Sequence, residues 1–482
     1  MRIRREKLER MQAAGVDCYP VGFARTVTLA DVREKYAELP TDTATDDRVG
    51  IAGRVISRRG HGKLAFAVLR DGTADVQVML SLDRLGEERL EAWQHDVDLG
   101  DHVGVTGEVI SSRRGELSVM AESWAMTGKA LRPLPSQWHG MDPESRVRQR
   151  YVDLVVSPDA RQMVHTRARV LRSIRATLHG RGFIEVETPV LQYLHGGAAA
   201  RPFATHLNAF DIDMSLRIAL ELHLKRCVVG GIDRVYEIGR IFRNEGVDST
   251  HSPEFTMLEA YEAYGDYDTM AELTRQIVLD AARELGRTVV PDGAGGEIDL
   301  EAPWAQVTVH DVVSTAVGKQ VTVDTTEDEL VAIAAEHDVE VKPGWSAGEI
   351  VLELFEKLVE HTLIQPTFVR DYPTSVRPLA RAHRTTPGLV EAWDLIIGGV
   401  ELAPAYSELV DPVVQRERLT EQSLRAAGGD PEAMEMDEDF LRALEHGMPP
   451  TGGMGLGVDR LVMLLTGTGI RETILFPLVR PE

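Results

Sequence analysis

Arg243 lies in Phe242-Arg243-Asn244-Glu245-Gly246, just before His251-Ser252-Pro253-Glu254-Phe255-Thr256. Arg460 lies in Gly455-Leu456-Gly457-Val458-Asp459-Arg460. Each fragment sets an arginine beside glycine, and the first adds an aromatic ring and carboxylates. These types suit a nucleoside triphosphate. Guanidinium forks grip phosphate oxygens, a ring and a guanidinium plane can sandwich a purine, and carboxylates hold Mg²⁺. The glycines before Arg460 read as a turn in which backbone approaches a ligand at a helix N-terminus, or as ordinary packing. Asp394 and Glu401 bracket the bend Ile396-Ile397-Gly398-Gly399 and could share a Mg²⁺, although alone they read rather as two surface acids. No GxxxxGK[ST] loop is present, which excludes a P-loop NTPase.

The elements that must position these residues fall into two regions. Residues 2–14 read as a charged helix that Gly15 stops. Strand patterns follow at Val49–Ile56, Leu64–Leu69, Val76–Leu80, His102–Ile110 and Leu117–Met120, with a helical stretch over 83–95. Five short strands with a helix between the third and fourth describe an OB-fold barrel. Phe66, with Arg59 and Gln77 near it, is either a stacking platform for single-stranded bases or plain core. Leu131-Arg132-Pro133-Leu134-Pro135 reads as a linker. An amphipathic helix over 161–181 follows, its stripe at Val164, Leu171, Ile174 and Leu178. Then comes a strand, Phe183–Pro189, alternating apolar and acidic residues. Beyond it, strand pairs such as Val235–Ile238 and Phe255–Leu258 predict an antiparallel sheet flanked by helices, an α+β domain. Residues 326–362 read as a polar helical insertion. The expected division is 1–132, a linker at 133–145, and 146–482.

The bulk numbers narrow the class. The 482 residues carry 76 acidic and 53 basic side chains, a net charge of −23. That argues against generic coating of nucleic acid but leaves room for a local patch. Basic residues bunch at Arg54, Arg58, Arg59, Lys63 and Arg70, at Arg113 and Arg114, and at Arg146, Arg148 and Arg150, a pattern that also fits a solvated face. The two cysteines, Cys18 and Cys227, have no CxxC partner, so neither a disulfide framework nor a zinc site is expected. With no signal peptide and no apolar run long enough to span a bilayer, a cytoplasmic protein without membrane contact is expected.

With these residues in view, the chain resembles the class II aminoacyl-tRNA synthetases, subclass IIb, of the bacterial lysyl type. Gly182–Pro189 looks like motif 1, Phe242–Phe255 like motif 2 and Gly455–Arg460 like motif 3. The longer stretches Gly196-Gly197-Ala198, Arg217–Glu221, Met257–Tyr261 and Tyr406–Leu409 resemble the lysine-specific segments. No HIGH or KMSKS element of the class I enzymes is present. The resemblance implies activation of L-lysine with ATP and Mg²⁺, transfer to tRNA(Lys), and a homodimer formed through motif 1. It implies that Arg243 holds the α-phosphate and substrate carboxylate, Phe255 stacks on adenine, and Arg460 covers the other face and binds the γ-phosphate. Glu245, His251, Glu401 and Gly457 complete the ATP site, and Asp394 and Glu401 are the Mg²⁺ carboxylates. Gly197, Glu221 and Glu259 receive the α-amino group, and Tyr261 and Glu408 the ε-ammonium, with Tyr406 beside them. In the barrel, Arg59, Phe66, Gln77 and Glu116 match positions that read a uridine-rich anticodon.

Departures from the family pattern cluster in the amino-acid pocket. Ser215, Leu220 and His223 replace the common tyrosine, proline and aromatic residue. Pro404 stands where a polar side chain, often Asn, touches the substrate carboxylate, and Asp394 is shorter than the common Glu. Proline lacks a backbone donor, and one lost hydrogen bond to a charged group costs about 1.5–3 kcal/mol. Two alternatives therefore stand beside a tRNA-charging enzyme: a paralogue with an altered pocket, for a lysine analogue or inhibitor escape, and a lysine-activating enzyme with another acceptor.

Overall fold

The computed structural model describes residues 1–135, 140–427, 434 and 436–481. It comprises two compact units, Met1–Asp142 and Pro143–Glu482.

In the first unit, strands β1 (Thr43–His61), β2 (Leu64–Arg70), β3 (Asp75–Ser81), β4 (His102–Ser111) and β5 (Leu117–Gly128) close into a barrel in the order β1-β2-β3-β5-β4. Strict alternation along β2 buries Ala65, Ala67 and Leu69 and turns Phe66 outward, which settles its place. The helix expected over 83–95 is interrupted. Gly86 adopts φ +78° and separates Leu82–Leu85 from α1 (Glu87–Asp96). Cys18 is buried and Cys227 half-buried, both free thiols.

The second unit is built on an eight-stranded sheet. In chain order its strands are β6 (Ile184–Glu185), β7 (Arg234–Phe242), β8 (Glu254–Ala263), β9 (Ala305–Thr308), β10 (Thr367–Pro373), β11 (Leu389–Ile397), β12 (Val400–Ser407) and β13 (Thr451–Gly457). They lie in the order β9-β10-β11-β12-β13-β8-β7-β6. All neighbours run antiparallel except the two edge pairs, β9 with β10 and β6 with β7. One face is covered by α2 (Pro158–Gly180) and α3 (Tyr267–Leu285), the other holds the pocket described below.

Helix α2 starts with Ser157 accepting from Ala160 N at 3.3 Å and with proline in its first turn. Its buried stripe is Val170, Ile174 and Leu178, whereas Val164 is 38% exposed and lies off the stripe. Deleting most of a fully buried side chain here leaves a cavity, so Ile174→Ala should lower stability by about 2–5 kcal/mol, read from the urea midpoint.

Three further expectations are corrected. Of 183–189, only Ile184–Glu185 pairs as strand, because Thr188 donates through N and Oγ1 to Glu237 Oε2, at 3.0 and 2.6 Å, instead of to a ladder partner. The segment 326–362 is helical, with Glu327–Glu336 and Ala347–Leu358, but is not a polar insertion. Leu330, Ile350, Val351, Leu354 and Phe355 are buried against Val369, Tyr372, Val390 and Ile396 of the sheet. The glycines before Arg460 form strand β13, not a turn.

Candidate active site

Arg217 anchors the approach to the pocket. Its Nη1 donates to Glu237 Oε1 at 2.6 Å and its Nε to Arg240 O at 2.9 Å, so the chain leading into the helix α4 (Glu221–Val229) is tied to β7. Gly197, with φ +86°, lies against the start of that helix. A Cβ there would stand 3.1 Å from those of Ala219 and Glu221.

The pocket is a slot whose floor is β13. Gly453, Gly455 and Gly457 alternate along the strand and so share a face. Gly453 pairs with Tyr261 on one side and Tyr406 on the other, Gly455 pairs with Glu259, and Gly457 with Met257. Glycine at each step leaves a trough between walls of side chains from β8 and β12. At Gly453 the trough is filled by protein: a Cβ there would meet Glu408 Oε1 at 2.0 Å and Tyr261 Cε1 at 2.5 Å. At Gly455 it is open, since Glu259, Met257 and Pro404 all stay 3.8 Å away.

One end of the slot is a buried acid cluster. Glu259 accepts from Leu220 N at 2.8 Å and from the Tyr261 hydroxyl at 3.0 Å. Burial first, then the nearby Glu221 charge, pushes its carboxyl up to about 7. Sequence reasoning did not single out Lys225, one helical turn after Glu221. It is wholly buried, with Nζ 2.5 Å from Glu221 Oε1 and 2.6 Å from Glu408 Oε2. Burial disfavours its charge, but the two carboxylates outweigh that and carry the ammonium up to about 12. With all three acids ionised, Lys225 neutralises one and leaves an excess of two negative charges, which matches a ligand bearing two ammonium groups. The signal was legible in principle: a lysine between Leu224 and Val228 on an apolar helix face, four residues after a glutamate.

The other end is cationic. Arg243 follows β7 directly, and its guanidinium lies 5.4 Å from the Phe255 ring centroid while Nε donates to Ile218 O at 3.3 Å. Burial pulls its pKa down, against the opposing charges of Glu245, Glu401 and Glu259. Arg460, in the first turn of α5 (Val458–Thr466), donates to Glu401 O at 2.6 Å and faces His251 Nε2 at 3.3 Å. Its helix is fixed by Asp459, which accepts from Thr256 N at 2.7 Å. Glu245 and Gly457 line the same cavity.

Asp394 and Glu401 also reach this cavity, from β11 and β12. Asp394 is not free, because Arg377 Nη2 binds its Oδ2 at 2.6 Å, while Oδ1 has no hydrogen-bond partner. Among the described residues no cluster of three or more His, Cys, Asp or Glu side chains could hold a metal ion.

On the barrel, the expected residues converge on a separate cavity. The Arg59 guanidinium lies 5.2 Å from the Phe66 ring centroid and donates to Gln77 Oε1 at 3.2 Å. Gln77 Nε2 donates to Ser118 Oγ at 2.8 Å, which fixes the amide, and Glu116 sits on the same rim, 3.7 Å from Arg33. A ring and a guanidinium beside an oriented amide form a surface for stacking and base-edge hydrogen bonds.

Residues 49–126 match the OB-fold nucleic acid binding domain, and residues 142–480 match the tRNA synthetases class II (D, K and N). Over its whole length the chain is 57% identical to a lysine–tRNA ligase of Kineococcus radiotolerans and 56% to lysine–tRNA ligase 1 of Mycobacterium tuberculosis, in each case covering 97% of the relative. It is 52% identical, again over its whole length, to 43% of the lysylphosphatidylglycerol biosynthesis bifunctional protein LysX of Nocardia farcinica. Among the described residues no helix is long and apolar enough to cross a membrane. The chain belongs to the class II tRNA synthetases of the D, K and N group.

Proposed function

We propose that the chain activates L-lysine with ATP and Mg²⁺ and transfers the lysyl group to tRNA(Lys). The observation that carries the reading is the slot itself: an acid end with two excess negative charges, and an arginine end that suits phosphate. The ε-ammonium would lie against Glu408 and Tyr261, with Tyr406 beside it, and the α-ammonium against Glu259, Glu221 and the backbone at Gly197. A desolvated ammonium needs this paired carboxylate and further acceptors.

A carboxylate oxygen of lysine attacks the α-phosphorus of ATP, and the bond from that phosphorus to the pyrophosphate oxygen breaks. Arg243 stabilises the charge that gathers on the α-phosphoryl oxygens, Phe255 and Arg460 hold the adenine between them, and Arg460 meets the γ-phosphate. Glu401 and the unpartnered Oδ1 of Asp394 would hold Mg²⁺, with phosphate oxygens and water as the remaining ligands, and the ion would neutralise phosphate charge. In the second step the 3′-terminal ribose hydroxyl attacks the carbonyl carbon, and AMP leaves. Arg59, Phe66, Gln77 and Glu116 would read the anticodon. Exposed Ile184, within the expected dimer-forming segment, and exposed Leu191 and Tyr193 just after it would offer apolar surface to a second copy.

The test is lysine-dependent ATP–pyrophosphate exchange together with charging of a tRNA bearing a UUU anticodon. Both activities are expected. Exchange without charging would select a second reading, lysine activation for a different acceptor. Absence of both with lysine would overturn the proposal.

The raised Glu259 carboxyl gives a pH signature. Its protonated form cannot pair with an ammonium, so binding must first expel a proton wherever the pH lies below about 7. The ratio kcat/KM for lysine should therefore fall as pH drops through about 7, and Glu259→Gln should make that fall shallower, leaving the part due to Glu408, whose carboxyl burial pushes up to about 8.

A further inference from the structure

Pro404 leaves the β12 wall of the slot without a polar side chain at the level of Glu259. Directly across the β11–β12 pairing from Pro404 stands Asp394, and bound to Asp394 is Arg377. Arg377 comes from the chain between β10 and β11, which pairs with Glu408 at Ala380. Its side chain is 19% exposed and lines the slot. The guanidinium lies 4.5 Å from the Tyr372 ring centroid, so one face is fixed, and Asp394 fixes one nitrogen. The rest of the fork is poorly used: Nη1 makes only a 3.5 Å contact with the carbonyl of Val376, and Nε has no partner.

A half-buried arginine with idle donors beside a ligand cavity calls for an anion. The amino-acid carboxylate needs one more cation, because around its end of the slot Glu259, Glu401 and Asp394 all repel it. Resting on the lysine-activation reading, we propose that Arg377 binds the substrate carboxylate from the wall opposite Arg243, supplying the contact that Pro404 lacks. Asp394 and Tyr372 act as its positioning residues. The pair also explains why a proline is tolerated at 404: the polar contact has moved one strand outward, onto a longer side chain.

The test uses calorimetric binding without ATP, which keeps phosphate and metal out of the measurement. The probes are lysine and lysinamide, which retains both ammonium groups but has no carboxylate. Wild-type protein should prefer lysine clearly; failure to bind either would sink the lysine reading itself, not only this inference. Arg377→Gln should weaken lysine by about 30-fold and lysinamide by less than about threefold, as expected for a lost charge-assisted hydrogen bond. Pro404→Asn added to Arg377→Gln should recover part of the lysine affinity. Equal losses for both ligands would make Arg377 merely structural, and no loss for either would remove it from the site. Either result overturns the proposal. Should Arg377→Gln unfold because Asp394 is left buried and unpaired, Arg377→Gln with Asp394→Asn removes both charges, and the same ligand ratio decides.

Discussion

Arg243→Gln should lower kcat/KM for lysine-dependent pyrophosphate exchange by about a thousandfold while the protein stays folded. The guanidinium is held over Phe255 and tethered to Ile218, so on the proposed reading it would need no reorganisation as the phosphorus becomes pentacovalent. On the proposed reading it would also serve the meeting of two anions, the lysine carboxylate and the α-phosphate. Loss of that charge would raise the barrier for approach as well as for bond formation. Arg243→Lys should recover only a small part, since a point charge cannot both stack on the ring and present a fork. Stability should change little, because burial opposes this charge more than Glu245, Glu401 and Glu259 together favour it. Exchange kinetics and a thermal melt of the same samples check both halves. A loss below about tenfold would mean that Arg460 and Mg²⁺ carry the phosphoryl charge without it.

The barrel was legible because its strands are short, mostly apolar runs set off by turns, and β2 alternates strictly through Ala65, Phe66, Ala67 and Val68, so a period of two is visible in single residues. The β7–β8 hairpin was legible for a related reason: its arms are close in sequence and carry Arg243 and Phe255 on facing ends. Legibility failed where a residue's role depends on something far along the chain. Lys225 means little until Glu408 is brought to it, and Arg377 means nothing until Asp394 and Pro404 are seen side by side. The helices within 326–362 looked polar because their apolar stripe, Leu330 on one and Ile350, Leu354 and Phe355 on the other, is narrow and split between them. The glycines of β13 read as a turn because glycine is depleted in strands. Here its small size makes the slot, a tertiary reason that no local propensity encodes.

That reason yields a paired result. Gly453→Ala should abolish measurable lysine binding, a loss on the order of a hundredfold or more, and should lower the melting temperature by several degrees. Gly455→Ala should leave the melting temperature nearly unchanged yet raise KM for lysine at least about tenfold. The two substitutions add the same methyl to the same face of one strand, so propensity and chain entropy cancel between them. They differ in what the methyl meets. At Gly453 it lands 2.0 Å from Glu408 Oε1 and 2.5 Å from Tyr261, both committed to the acid cluster with Lys225, so the wall must give way even without ligand. At Gly455 the nearest atoms are 3.8 Å away, ordinary contact, so the unliganded protein accepts the methyl and only a ligand lying on the floor is displaced. Displacement there separates the lysine carboxylate from the α-phosphate, so kcat should fall with the rise in KM. If Gly455→Ala leaves both constants untouched, the amino acid does not lie along β13, and the assignment of the two ends of the slot fails with it.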